Sequence, residues 1–290
     1  MTATLESAAA KTFRVLGLWR RWVTRDRLIL AAARLGYAAR GFVYLSVGVL
    51  ALMAALELRA SATGSRGSMA ALARAPLGEM WLIMLGAGLF CFAFWRAMQA
   101  FLDADRLGRR PKAVMQRAAQ ALSGLIYGAL AMSVLELVDE LGDLGEPDEA
   151  AEASQQAAQL MSLPYGQGLL MALGLFVVGA GIGNMVHGLE KRFHSDLDCS
   201  QTLRRWAKPT GRAGYLARGA AFALTGVYLV RAAFAARASE AKDMGAALQA
   251  LESQPFGSAL LVVIGAGLVA FGIFGLVEAR YRVLRLPAPQ

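Results

Sequence analysis

Apolar residues along the chain gather into six runs, at 36–58, 79–101, 118–138, 167–189, 214–236 and 257–278. Each is about 20 residues or longer, and at 1.5 Å per residue a helix of that length crosses a hydrocarbon core of roughly 30 Å. The pattern predicts an all-α integral membrane protein, a six-helix bundle. The third run is the weakest, because Gln120 and Ser123 fall in its first turns. Residues 12–27 follow a different rule. On a helical wheel, Trp19 and Trp22 share one side with Val15, Leu16, Leu18 and Val23, while Arg14, Arg20, Arg21, Arg25 and Arg27 share the other. That predicts an N-terminal amphipathic helix lying in the membrane interface, with Arg14, Trp19, Arg20, Arg21 and Trp22 meeting lipid.

The runs are also internally similar. Residues 34–44 read RLGYAARGFVY and residues 212–222 read RAGYLARGAAF. The shared frame, R-x-G-Y-x-A-R-G, stands at Arg34, Gly36, Tyr37, Ala39, Arg40 and Gly41, and again at Arg212, Gly214, Tyr215, Ala217, Arg218 and Gly219. Gly48 and Gly226 continue it on the same helical face. A middle copy is degraded: Gly124 and Tyr127 match Gly41 and Tyr44, but Gln120 and Ser123 stand where Tyr37 and Arg40 would be. The second helix of each unit repeats as well. Pro76, Pro164 and Pro255 are followed two residues later by Gly78, Gly166 and Gly257, and ten residues later by Gly86, Gly174 and Gly265. Pro is expected in the first turn of each second helix, where a missing N–H costs nothing. Two helices per unit return the chain to the same side, so the three repeats are parallel and a pseudo-threefold arrangement about the membrane normal is expected. The segments divide as 1–30, 31–110, 111–200 and 201–290.

The GYxARG frame at Gly36–Gly41 and Gly214–Gly219, with the later Gly245–Leu248 and Gln254–Gly257 stretches, resembles the bacterial membrane family called domain of unknown function 1206. The resemblance covers nearly everything after residue 30, as three copies. It implies a six-helix membrane protein and brings no established activity.

Composition agrees with a bilayer as solvent. Hydrophobic residues make up 57% and charged residues 18%, against about 45–50% and 25% in soluble domains. The 31 glycines sit mostly within the apolar runs, where small residues let helices approach closely. A net charge of +9 would suggest nucleic acid in a soluble protein. Here the basic residues flank the apolar runs, which points to topology signals and anionic lipid headgroups, not nucleic acid. Counting Lys and Arg in the connections, Arg96 included, gives 22 on the side of the termini and 6 on the other, with Arg40 and Arg218 inside spans. Both termini are therefore expected in the cytoplasm of a bacterium, with the protein in its inner membrane and the first span serving as the uncleaved insertion signal. The connection between the third and fourth runs has no Lys or Arg and reads as a solvated acidic loop. Cys91 and Cys199 have neither metal spacing nor a disulfide framework around them.

Chemistry is sparse. No catalytic triad, phosphate loop, zinc motif or carboxylate pair assembles on one face, so no enzyme, metal or cofactor is expected. Gly179, Gly181 and Gly183 are read as helix packing. Intramembrane charge is the strongest pointer to a site. Twenty-three residues after each repeat Pro stand Gln99, His187 and Glu278; three residues before these stand Arg96, Asn184 and Gly275. These share the depth of Arg40 and Arg218. Arg40 and Arg218 are first read as snorkelling to lipid headgroups; the sharper reading is a polar cluster of Tyr37, Arg40, Asn184, His187, Tyr215, Arg218 and Glu278, with an Arg–Glu278 ion pair that locks the bundle or lines a vestibule. A haem is not expected at His187, since His194, its would-be partner, lies outside the span. The functions weighed are, in order, a structural or accessory protein that binds lipid, a membrane complex or its own copies; a transporter or channel for a small solute or ion; and a membrane enzyme.

Overall fold

The computed structural model describes the chain except residues 1, 59–63, 74–76, 106, 109, 140–148, 191–196 and 285–290, and without the side chains of residues 2–26, 66, 67, 112 and 149. The described residues form nine α-helices and no strand, apart from one isolated bridge between Leu197 and Arg282. Six helices are long and apolar enough to cross a membrane: α1 (Thr2–Ala55, apolar from Arg27), α3 (Gly78–Leu102), α4 (Pro111–Asp139), α6 (Gly166–Leu189), α7 (Gln201–Phe234) and α9 (Gly257–Tyr281). These match the six expected runs. Several extend beyond them, because polar turns continue the backbone hydrogen bonding after the apolar stretch ends. The lipid-facing residues expected near the N-terminus (Arg14, Trp19, Arg20, Arg21, Trp22) lie outside the described side chains. Arg96, counted above with a connection, is inside α3.

Three short helices were not expected: α2 (Ser65–Ala73), α5 (Glu149–Met161) and α8 (Met244–Glu252). Each follows an odd-numbered span and precedes the Pro-x-Gly that opens the next. The second half of the expected acidic loop is therefore helical. At that opening the structure also corrects the role of proline. The helices begin at Gly78, Gly166 and Gly257, and the residue before each (Leu77, Tyr165, Phe256) sits in the left-handed region at φ 60°, 61° and 62°. Pro164 and Pro255 lie in the turn ahead of the helix rather than in its first turn. The glycine is required by contact. A Cβ at Gly166 or Gly257 would collide with the carbonyl of Leu160 or Leu251, at the end of the preceding short helix.

The spans pack through glycine faces. Gly41 of α1 meets α9, where a Cβ would lie 2.9 Å from the Gly272 oxygen; Gly219 of α7 meets α6, where it would lie 2.6 Å from the Gly181 oxygen. Helices α3 and α4 make the third pairing of this type, with Gly124 against the Ala93 oxygen. A second type of contact joins α1 to α3 and α7 to α9, with Gly36 against Phe92 and Gly214 against Phe271. Among the described residues α4 and α6 do not pack in the corresponding way, so the spans run in the order α4, α3, α1, α9, α7, α6. Of the three mid-span glycines Gly179, Gly181 and Gly183, Gly181 packs as expected, while a Cβ at Gly179 or Gly183 would meet nothing within 4 Å.

The bundle has two unlike ends. At the far end, beside α2, α5 and α8, buried apolar side chains such as Val47, Ala51, Leu82 and Leu261 close the interior. At the end where α1 enters and α9 leaves, called here the terminal end, the interior turns polar.

Candidate functional site

Arg40 is 2% exposed, and its Nη2 donates to Glu278 Oε2 at 2.5 Å across the α1–α9 contact. Glu278 also accepts, through Oε1, from Arg282 one turn further along. Arg40 is sandwiched by rings as well: its Cζ lies 5.2 Å from the Tyr37 centroid and 5.1 Å from those of Phe92 and Phe271. The quadrupoles of those faces favour a cation that burial has stripped of water.

The same rings lace in three more guanidinium groups. Arg96 lies over Phe92 at 5.0 Å, Arg218 over Phe271 at 5.0 Å, and Arg282 over Tyr37 at 5.1 Å. Arg218 Nε donates to Tyr44 Oη at 2.9 Å and its Nη1 to Asn184 Oδ1 at 2.9 Å; Tyr127 Oη donates to Tyr44 Oη at 3.4 Å. One polar chain thus runs α4–α1–α7–α6. On the other flank Arg96 donates to Gln99 Oε1 at 3.1 Å, and Gln99 and Gln120 each donate to Asp105 Oδ2 at 2.8 Å. All six spans contribute to the cluster. Its four guanidinium groups face two carboxylates, Glu278 and Asp105. Tyr37 Oη, Arg40 Nε and Arg96 Nε are buried without a hydrogen-bond partner among the described residues, an unusual state for interior polar atoms.

The rim is held by backbone contacts. Arg117 Nε donates to the Ala100 oxygen at 2.7 Å and Arg212 Nε to the Gly188 oxygen at 3.2 Å. Each places a cation on the last carbonyls of a neighbouring helix, where the helix dipole is negative. Just outside α3, Asp103 closes a turn by accepting from Gly108 N at 2.9 Å and Leu107 N at 2.8 Å. Those bonds hold its carboxyl below the usual carboxylate range. No group of three His, Cys, Asp or Glu side chains that could hold a metal ion occurs among the described residues.

Three segments of the chain, 35–103, 118–191 and 213–282, match the family described as Domain of Unknown Function (DUF1206). The chain belongs to this family. It is also 29% identical over 252 residues to the uncharacterized protein YxxB of Bacillus subtilis (strain 168), covering 86% of this chain and 90% of that one. No solved structure matches it. Family, relative and six apolar helices together make this a multi-pass membrane protein carrying three DUF1206 repeats.

The DUF1206 register explains the cluster's asymmetry. Arg40, Ser123 and Arg218 are equivalent, as are Gln99, His187 and Glu278. Arg40 therefore meets the Glu278 carboxylate of α9, whereas Arg218 faces α6, where that position is His187, and bonds Asn184 instead. Of the expected cluster, Tyr37, Arg40 and Glu278 form one group, and Arg218 and Asn184 another. Tyr215 joins them through Phe271, at 5.2 Å between ring centroids. His187 sits at the edge, 4.8 Å from the Tyr215 ring and 3.4 Å from Glu190. Tyr44, Tyr127, Arg282, Gln120 and Asp105 were missed. Tyr44 and Tyr127 had a signal, since both keep the repeat's tyrosine. Arg282 had one too, standing four residues after Glu278.

Proposed function

We propose that this protein is a non-transporting accessory protein of the bacterial inner membrane, binding lipid or a membrane complex through its terminal end. The asymmetry of the interior carries this reading. Among the described residues the buried polar side chains are Arg40, Ser68, Gln99, Gln120 and Glu278; of these only Ser68 lies at the far end, and it donates to its own helix at Ser65 O. A solute path needs polar groups or water along its whole length. Here the polar residues stop at mid-bundle and packed aliphatic side chains follow.

The charge count supports an orientation with both termini in the cytoplasm, in which the arginine cluster faces the leaflet where anionic headgroups attract basic residues. The repeats set a pseudo-threefold frame with parallel units, in which two of three equivalent contacts are made and the third, α4 to α6, is left open. No reaction is assigned: Arg40 and Arg282 are tied to Glu278, and Arg96 and Arg218 to the neutral Gln99, Tyr44 and Asn184.

Two measurements test the reading together. Purified protein in sealed vesicles should leave proton, alkali-cation and chloride permeability at the level of empty vesicles. Mild-detergent extraction should retain anionic lipid or a partner in fixed ratio. Flux of any of these ions above the empty-vesicle level, abolished by Arg40→Met, would replace accessory binding with transport.

A further inference from the structure

Several of the positions at which the middle DUF1206 repeat departs from the other two fall on one seam. Where α1 meets α3 and α7 meets α9, the contact is made by Gly36 or Gly214, Ala39 or Ala217, and Gly88 or Gly267. A Cβ at Gly36 would lie 2.6 Å from the Phe92 backbone, so that approach excludes any side chain. The equivalent residues between α4 and α6 are Ala119, Leu122 and Phe176. Their bulk keeps the two helices apart. The aromatic filling is lost as well. Phe92 and Trp95, and Phe271 and Phe274, are buried at 0%, 1%, 0% and 2% exposure; their equivalents are Ala180 and Gly183, and a Cβ at Gly183 meets only open space. Exposure follows: Val43 is 2% and Ala221 1% exposed, but the equivalent Ile126 is 53% exposed. An apolar slot therefore stands between α4 and α6.

At the inner end of this slot lies Arg218. Arg40 has Glu278 as its counter-ion and Phe92 and Phe271 on its two sides. For Arg218 the carboxylate position is His187 and the second ring position is Ala180. Its hydrogen bonds go to the neutral Tyr44 and Asn184. Asn184 belongs to α6, and Tyr44 is bonded to Tyr127 of α4, so the guanidinium sits between the two walls of the slot. Substitution has removed an anion from beside this cation, which keeps Tyr44, Phe222 and Phe271 as ring neighbours at 5.2, 4.8 and 5.0 Å.

We propose that the α4–α6 seam binds one anionic phospholipid, its phosphodiester against Arg218 and Asn184 and an acyl chain along Leu122, Ile126 and Phe176. The lipid supplies the negative charge that the middle repeat lacks, and its chain covers the apolar walls that no protein helix covers. A phosphate oxygen also suits the fork of a guanidinium. This rests on the lipid-binding branch of the accessory reading and deepens it; vesicle flux would overturn that reading without involving the seam.

The test uses the full chain in mild detergent, with palmitoyl-oleoyl phosphatidylglycerol, the matching phosphatidylcholine and inorganic phosphate as separate probes. Native mass spectrometry and thermal stability are the readouts. Phosphatidylglycerol is expected to be retained at one per chain and to raise the melting temperature, phosphatidylcholine at least about tenfold more weakly, and inorganic phosphate not at all. Arg218→Gln should weaken phosphatidylglycerol about tenfold, by the loss of a charge-assisted contact. Ala180→Phe, which refills the slot without touching a charge, should reduce retention of both lipids while the protein stays monodisperse and as stable as the parent. The proposal fails if both lipids bind equally, if inorganic phosphate stabilises as well as phosphatidylglycerol, if Ala180→Phe binds lipid as before, or if the slot is filled by a second copy, seen as a dimer that Ala180→Phe dissociates.

Discussion

Glu278→Gln should destabilise the bundle by about 3 kcal/mol, and the size follows from what remains around Arg40. The guanidinium is 2% exposed and the carboxylate side chain 4%. Two unit charges about 4 Å apart attract by about 4 kcal/mol at an effective dielectric near 20, and breaking a buried pair by removing one partner typically costs about 3–5 kcal/mol. Two features keep the loss near the lower bound. The glutamine oxygen still accepts a hydrogen bond, and the Tyr37, Phe92 and Phe271 faces still hold the cation. Arg282 loses the same acceptor, but its side chain is 22% exposed, so water screens part of that loss.

The same reasoning demands a second result. Replacing both partners with apolar residues of similar length, Arg40→Met with Glu278→Leu, removes the desolvated charges along with their attraction, and such replacements are often neutral. The double variant should lie within about 1 kcal/mol of the parent, well above the sum of its two singles. Reversible unfolding in mixed micelles titrated with a denaturing detergent reads both quantities. A single-variant loss below about 1 kcal/mol, or a double variant as unstable as the sum, would refute the claim that this pair is desolvated and mutually dependent.

Three further outcomes follow from the packing and the turns. Gly272→Val should cost at least about 2 kcal/mol in the same titration, because a Cβ there lies 2.6 Å from the Leu45 nitrogen; Gly179→Ala, in open space, should be neutral or stabilising by a few tenths up to about 1 kcal/mol. Phe256→Gly should stabilise the detergent-solubilised protein by about 1 kcal/mol through relief of the left-handed backbone at φ 62°, since its side chain is 87% exposed; a loss instead would mean the ring is packed in solution. Asp103, held below its ordinary pKa by Gly108 and Leu107, contributes stability above the ordinary carboxylate value near 3.9. That contribution should disappear as pH falls below it through the folded-state value, and Asp103→Asn should flatten the melting temperature across this acidic window.

What could be read from the chain depended on how local each cause was. The six spans needed only length and apolar continuity. The Arg40–Glu278 pair was readable because the repeat placed both residues at equal depth, and a buried arginine in a membrane needs a partner. The short helices α2, α5 and α8 were not, since nine to thirteen residues make too few turns for a clear period and none is apolar enough to span. Proline placement misled for a related reason: Pro-x-Gly suits a helix start, but the carbonyl closing on Gly166 belongs to α5, which the linear pattern did not reveal. The seam is the most instructive case. Ala119, Leu122, Phe176, Ala180 and Gly183 are all visible in the sequence, yet each is an ordinary membrane residue. They acquire meaning only once Gly36 on Phe92 and Gly88 on Ala39 define which face repeats one and three bury. Divergence of the middle repeat includes the face that would have closed the ring, while Gly124 and Tyr127, which serve the α3 and α1 contacts, are kept. It reaches other positions too, with Gln120 and Ser123 where Tyr37 and Arg40 stand and Ala131 in the place of Gly48 and Gly226.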